Sequence, residues 1–164
     1  MKMSDISKSQ IGKSGRMLTH IILTREGIDV RKGEKSTDLI INMERPKREF
    51  TIMTTTNLKP KRAGGKGKFA LDWWVPKDCD ADFVACSDLE SMRVWIFKTE
   101  EIPELAQQQT AGKYHLYMYT DRKVALRGKQ EMKFDYEFEP FILENRIYRR
   151  IFNSRKRKSA KKTE

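Results

Sequence analysis

The chain has 164 residues, a length typical of one domain with its own hydrophobic core. It carries 34 Lys and Arg against 23 Asp and Glu, a formal net charge of +11, which favours a polyanionic partner and makes nucleic acid the first candidate. No window holds the roughly 18 apolar residues of a membrane span, and no signal sequence opens the chain. The composition predicts an intracellular protein, whether in the cytoplasm, the nucleoid or an organelle, without a membrane partner.

The first half of the chain predicts a helix followed by a hairpin. Apolar side chains recur at helical spacing over residues 11–25. Residues 39–41 are apolar and predict a short strand, and Pro46 lies in the turn that follows. Residues 50–56 are rich in β-branched side chains and predict the partner strand. We expect Asp38 at the edge of this hairpin.

A basic, glycine-rich segment follows at residues 59–68. It contains five cations and three glycines; the cations are Lys59, Lys61, Arg62, Lys66 and Lys68. Glycines let backbone N–H groups approach phosphates, and cations gain affinity by releasing counterions. The segment therefore predicts phosphate contacts, with a merely solvated hairpin as the alternative. Trp73 and Trp74 are adjacent and should face opposite ways on a strand, one in the core and one able to stack on a base or a lysine.

The second half predicts an α/β fold with one central sheet and a basic tail. Strands are predicted at 82–86, 93–97 and 114–119, and helices at 102–109 and 139–153. From 146 to 164 there are nine basic residues and one acid. The tail cations predicted to contact phosphate are Arg155, Lys156, Arg157, Lys158, Lys161 and Lys162; a solvated tail or a nuclear-localisation-like run is the alternative. The predicted parts are an arm at 1–9, a domain at 10–153 and the tail at 154–164.

The cysteines and histidines do not predict a zinc site. Cys79 and Cys86 are separated by six residues, more than a zinc finger uses, and His20 and His115 lie far from them in sequence. Free thiols in a reducing compartment are the expectation, and His115 is interpreted as a strand residue.

Several segments resemble PD-(D/E)XK nucleases, in particular the small homing endonucleases associated with group I introns. The segments, which span roughly residues 10–120, are Ile11-Gly12-Lys13-Ser14-Gly15-Arg16 with its helix, Ser36-Thr37-Asp38-Leu39-Ile40-Ile41, Phe50-Thr51-Ile52-Met53-Thr54-Thr55, Asp80-Ala81-Asp82-Phe83-Val84-Ala85 and Val94-Trp95-Ile96-Phe97. The resemblance implies a single restriction-endonuclease-like domain, with a central mixed sheet flanked by helices and a basic C-terminal extension.

The resemblance also implies a catalytic set that this chain mostly lacks. Such nucleases hold a metal ion with an Asp and a Glu and use a nearby Lys. The Asp matches Asp38, but the Glu position is Thr51 and the Lys position is Met53. An acid often found on the first helix falls at or beside Gly15 and Arg16. One of the four expected groups is present.

Three functions remain open at this point. The leading expectation is a nucleic-acid-binding protein that has lost catalysis, needs no cofactor and uses Asp38 only to bind local backbone N–H groups. The first alternative is an active DNA endonuclease in which Asp38 and Glu49 share Mg²⁺, helped by Lys59 or Lys61. The second is a structural RNA-binding component of a ribonucleoprotein such as a ribosome, in contact with other proteins of the particle. The sequence does not separate DNA from RNA.

Overall fold

The computed structural model describes residues 5–34, 37–45, 47–63, 68–121 and 134–153. The strands are β1 (Asp29–Lys32), β2 (Leu39–Glu44), β3 (Lys47–Asn57), β4 (Lys61–Ala63), β5 (Lys68–Pro76), β6 (Phe83–Asp88), β7 (Arg93–Lys98), β8 (Gln108–Gln109) and β9 (Lys113–Tyr119). The α-helices are α1 (Lys8–Arg25), α2 (Ile102–Leu105) and α3 (Leu143–Tyr148). No helix in these ranges is both long and apolar enough to cross a membrane.

The main sheet has five strands in the order β1-β2-β3-β6-β7. β3 and β6 are parallel, and the other neighbours are antiparallel, so the sheet is mixed. In the β2–β3 hairpin Leu39 pairs with Ile52 and Ile41 with Phe50. This confirms the predicted α/β fold, its central mixed sheet and the hairpin that begins beside Asp38.

Helix α1 covers one face of the main sheet. Ser7 caps its start, accepting a hydrogen bond from the backbone N–H of Gln10, while the Gln10 side chain accepts one from the Ser7 backbone N–H. Leu18 and Ile22 of α1 then pack with Ile52 in one hydrophobic core. The C-terminal segment reaches the same core through Leu143, Ile151 and Phe152.

A second sheet, which the sequence did not predict, covers the opposite face. Its order is β4-β5-β9-β8, and all its pairs are antiparallel. Trp73 on β5 packs with Trp95 and Phe97 of the main sheet in a second core. Trp73 is 1% exposed and Trp74 is 41% exposed, which confirms that the two neighbours face opposite ways.

The C-terminal region departs from the predicted helix at 139–153. It consists of a 3₁₀ helix at Asp135–Phe141, then α3, then a 3₁₀ turn at Ile151–Asn153. Pro140, expected in the first turn of that helix, instead lies inside the 3₁₀ helix, three residues before α3 begins. Arg150 ends the run after α3 with a φ of 58°.

Candidate functional site

Asp38 lies immediately before β2, and other groups of the protein already bind its carboxylate. Its backbone N–H donates to the carbonyl of Ile52 at 3.1 Å. One carboxylate oxygen accepts the backbone N–H of Thr54 at 2.7 Å, and the other lies 3.7 Å from Nη1 of Arg16. The side chain therefore acts as a backbone acceptor that ties β2 to β3, and its charge is opposed by a cation from α1.

The two positions expected to carry the Glu and the Lys bind other protein groups. Thr51 donates its backbone N–H to Oδ2 of Asp82 at 3.0 Å, and its hydroxyl accepts the Asp82 backbone N–H at 3.0 Å. Met53 packs against the core between the sheets, with its sulfur 3.7 Å from Sγ of Cys79. Neither side chain offers a charge to a metal ion or to a phosphate.

The position of the first-helix acid is closed by packing. Gly15 lies so close to β3 and β6 that a Cβ there would overlap Oγ1 of Thr56 and lie 2.7 Å from Oγ of Ser87. An acidic side chain therefore cannot be accommodated at residue 15 with this spacing of helix and sheet. The next residue, Arg16, brings a cation to Asp38 instead of a further carboxylate.

The structure does not bring Glu49, the second acid of the endonuclease alternative, to Asp38. Glu49 faces Asn42 across the hairpin, whereas Asp38 precedes Leu39, the partner of Ile52. Four residues of strand therefore separate Asp38 from the level of Glu49, which is about 14 Å. The Glu49 carboxylate instead binds Nη2 of Arg31 at 3.0 Å.

These side chains do not fit an Mg²⁺ ion. Mg²⁺ needs oxygen ligands and charge neutralisation, but Asp38 is shared between Thr54 and Arg16 and has no carboxylate partner at Glu49. Across the described ranges, no group of three or more His, Cys, Asp and Glu side chains is placed to hold a metal ion. Cys79 and Cys86 are free, as expected, and burial raises the pKa of both thiols.

The described ends of the segment predicted to contact phosphates pair as β4 and β5, and residues 59–68 are called the basic hairpin below. Lys61 pairs with Ala70, and the Arg62 guanidinium lies 5.6 Å from the ring centroid of its partner Phe69. Lys59, Lys61 and Arg62 are exposed and Lys68 is half-buried. No Asp or Glu occurs between residues 57 and 71, and none of the four cations forms an ion pair within the described part of the chain. Lys66 and the tail residues from Arg155 to Lys162 lie outside the described residues.

A further cluster, which the sequence alone did not single out, lies on the outer face of the second sheet. Trp74 stacks on His115, and His115 contacts Asp72 and Gln108. The alternating run at residues 114–119 was interpreted as a strand, which β9 confirms. Its pairing with β5 joins residues some 40 apart in sequence, so no local pattern signals the cluster.

The fold is similar to that of a bacterial homing endonuclease. The structure of I-Ssp6803I superposes with a TM-score of 0.51 and 14% sequence identity, covering 76% of this chain and 86% of that one. MepB superposes with a TM-score of 0.31, also at 14% identity and over 76% of this chain and 89% of that one, which is too loose to indicate a shared fold. No family model matches the chain, and none of the curated proteins does. The chain thus has a homing-endonuclease-like fold in one domain.

Proposed function

We propose that this chain binds nucleic acid through the basic hairpin and is a relative of PD-(D/E)XK nucleases that does not cut its ligand. The observation that carries the binding proposal is the hairpin itself, which presents Lys59, Lys61, Arg62 and Lys68 on one edge of the second sheet with no acid in the same stretch of chain. Clustered cations without internal partners gain most from a phosphate backbone, because binding releases the counterions condensed on it. The similarity in fold to a homing endonuclease supports the same class of ligand.

Binding is expected to weaken steeply with salt, and the basic hairpin is expected to carry much of that dependence. With roughly five to eight phosphate contacts on duplex DNA, the logarithm of the binding constant should fall against the logarithm of salt with a slope of about −5 to −7. Replacing Lys59, Lys61, Arg62 and Lys68 by Gln should flatten the slope by about 2 to 3. The measurement is a salt titration of wild type and variant by fluorescence anisotropy.

The matched control replaces four exposed cations outside the basic hairpin. Changing Lys8, Lys13, Lys32 and Lys47 to Gln lowers the net charge by the same amount, but these residues lie on α1, β1 and β3. We expect the control to change the slope far less than the hairpin variant. Equal slopes for the two variants would show that net charge, and not the hairpin, governs binding.

The tail at 154–164 is a second proposed contact segment, and its deletion is tested in the same titration. Its loss should weaken binding to all sequences alike and flatten the slope, because phosphate contacts position a protein without reading bases. Unchanged affinity would leave the tail as solvated charge. Parallel titrations with duplex DNA and structured RNA decide which nucleic acid is preferred; a clear preference for structured RNA would favour the ribonucleoprotein alternative.

The chain is expected not to cleave plasmid DNA in the presence of Mg²⁺. The physical reason is that Asp38 is neutralised by Arg16 and bound by Thr54, while Thr51 and Met53 replace the usual Glu and Lys. The measurement is plasmid nicking with Mg²⁺ or EDTA, using Asp38→Ala to recognise a contaminating nuclease. Cutting that needs Mg²⁺ and disappears in Asp38→Ala would contradict the proposal and support the enzyme alternative.

A further inference from the structure

The outer face of the second sheet displays an exposed indole stacked on an imidazole. Trp74 on β5 and His115 on β9 are direct register partners. Their ring centroids lie 4.0 Å apart, and the ring planes are within 2° of parallel. Trp74 nevertheless keeps 41% of its surface exposed, although a tryptophan normally buries most of its large apolar surface. One face of the indole is thus covered by His115 and the other is not.

The imidazole that supports the indole is held on both sides. Its Nε2 lies 3.1 Å from Oδ2 of Asp72, and its Nδ1 lies 3.3 Å from Oε1 of Gln108. A third contact comes from the ring of Tyr117, whose centroid lies 5.5 Å away. Because these partners fix His115, the stacked Trp74 side chain is held in one orientation. A ligand that stacks on Trp74 therefore loses little conformational entropy by ordering that side chain.

The uncovered face of the indole opens at an edge of the sheet. β9 pairs with β5 along residues 70–76, whereas β4 pairs with β5 only at residues 68–70. Beyond β4, the Asn57 side chain at the end of β3 meets this side of β5, donating to the carbonyl of Asp72 and accepting the Asp72 backbone N–H. Beside Trp74 itself, no described strand pairs with β5 on the side away from β9. Because His115 covers the indole from the β9 side, the opposite face of the indole is turned away from β9.

Cations lie near both ends of the exposed indole, on the two sides of β5. β4 is on the open side of β5, so the basic hairpin continues the edge on which Trp74 lies. Lys61 is opposite Ala70, four residues from Trp74, or about 14 Å along the strand. At the other end, exposed Lys113 of β9 pairs with Pro76, on the side of β5 opposite the hairpin. A strand that follows the basic hairpin can therefore place a group on the indole while its phosphates contact the hairpin cations.

We propose that the open face of Trp74 is a stacking site for one unpaired nucleobase, whose strand follows the basic hairpin. This inference rests on the proposed nucleic-acid binding and adds the kind of ligand: a single strand, a bulge or a loop. Bases inside a duplex already stack on their neighbours, whereas an unpaired base gains a partner on an aromatic side chain whatever its identity. The site is expected to prefer unpaired nucleotides without a strong sequence preference.

The test compares three oligonucleotides with wild type, Trp74→Ala, Trp74→Phe and Tyr148→Ala. The oligonucleotides are a single-stranded DNA, its blunt duplex, and that duplex with one bulged nucleotide. Trp74→Ala should bind the single strand and the bulge roughly tenfold more weakly than wild type, and the blunt duplex equally well. Trp74→Phe keeps an aromatic face and should stay near wild type. Tyr148, exposed on α3, is a control for the loss of a surface aromatic ring.

Fluorescence supplies a second readout, since Trp73 and Trp95 are buried and a stacked base should quench Trp74 preferentially. Unchanged single-strand affinity in Trp74→Ala, or an equal loss on the blunt duplex, would overturn the inference. A change of Trp74 emission with protein concentration alone would also overturn it, by showing that a second copy covers this face. If wild type binds none of the oligonucleotides, the proposed function fails as well; if its salt dependence persists and only the Trp74 effect is missing, the stacking site alone fails.

Discussion

Gly15→Ala is expected to destabilise the fold by about 3 kcal/mol, the upper part of the usual range for overpacking. The added Cβ would overlap Oγ1 of Thr56 and lie 2.6 Å from its Cγ2. Thr56 is β-branched and has few rotamers to move into, and the buried Ser87 hydroxyl lies 2.7 Å from the same point. Helix α1 would therefore have to move away from β3 and β6 and loosen the packing of Leu18 and Ile22.

Denaturant unfolding of Gly15→Ala and of a control in the same helix measures the effect. The control is Gly12→Ala, where the nearest atom to a new Cβ is Nη1 of Arg16 at 4.0 Å. Alanine improves helix propensity by up to about 1 kcal/mol, so this variant should equal or exceed wild-type stability. Adding Thr56→Ala to Gly15→Ala should recover part of the loss, since the two sites are in contact. Similar stability of Gly15→Ala and Gly12→Ala would contradict the close approach of helix and sheet.

The close approach of Gly15 to Thr56 and Ser87 also bears on catalysis. A fold that excludes a methyl group at residue 15 also excludes the carboxylate that the resemblance to PD-(D/E)XK nucleases implies at this position. Substituting Thr51→Glu and Met53→Lys would therefore restore two groups around Asp38 but not the third. It would also remove the hydrogen bonds that the Thr51 hydroxyl makes with Asp82 and place a charge in the core that Met53 lines. We expect no activity from that double variant.

The sequence predicted the elements whose signals are local. Helix α1 has apolar residues at helical spacing, and β2 and β3 are apolar or β-branched runs separated by a short turn. The hairpin register then follows, because a slip by one residue would turn Ile41 and Ile52 away from the core.

The second sheet could not be predicted in the same way. β4 has three residues and β8 has two, too few for a periodic signal. β5 begins inside a run of lysines and glycines, and its partner β9 lies about 40 residues later. The sheet exists because it buries Trp73 against Trp95, which is a tertiary effect.

The role of Asp38 was equally undecidable from sequence. An aspartate before a strand is the expected residue both for a metal ligand and for a backbone acceptor. What separates the two roles is the position of Arg16 and of the Thr54 N–H, which depends on how α1 lies over the sheet. Glu49 illustrates the same limit, since its strand could be predicted from the sequence but the ion pair of Glu49 with Arg31 could not.

Arg146→Met is expected to cost about 2 kcal/mol, because it leaves a partly buried carboxylate without its partner. The Arg146 guanidinium binds Glu101 through two hydrogen bonds of 2.7 and 2.9 Å and donates to the carbonyl of Ile96 at 3.0 Å. These contacts tie α3 to the main sheet. The control is Arg31→Met, which breaks the pair with Glu49, where both side chains are largely exposed; its effect should stay within about 0.5 kcal/mol.

The contribution of the Glu101 charge to the free energy of unfolding should also depend on pH. Burial alone would raise the pKa of Glu101, but hydrogen bonds from Arg146 and from the Lys98 backbone N–H, with the Arg146 charge, hold that pKa below its ordinary value of 4.5. A lowered pKa in the folded state means that the stabilisation is complete above pH 4.5 and is lost as the pH falls through the folded-state value. Glu101→Gln keeps the shape without the charge. Its unfolding free energy should therefore lie below that of wild type at pH 7, and the gap should narrow in denaturant titrations at pH 5, 4 and 3. A gap that stays constant across that range would show that shape and packing, and not the carboxylate charge, hold α3 to the sheet.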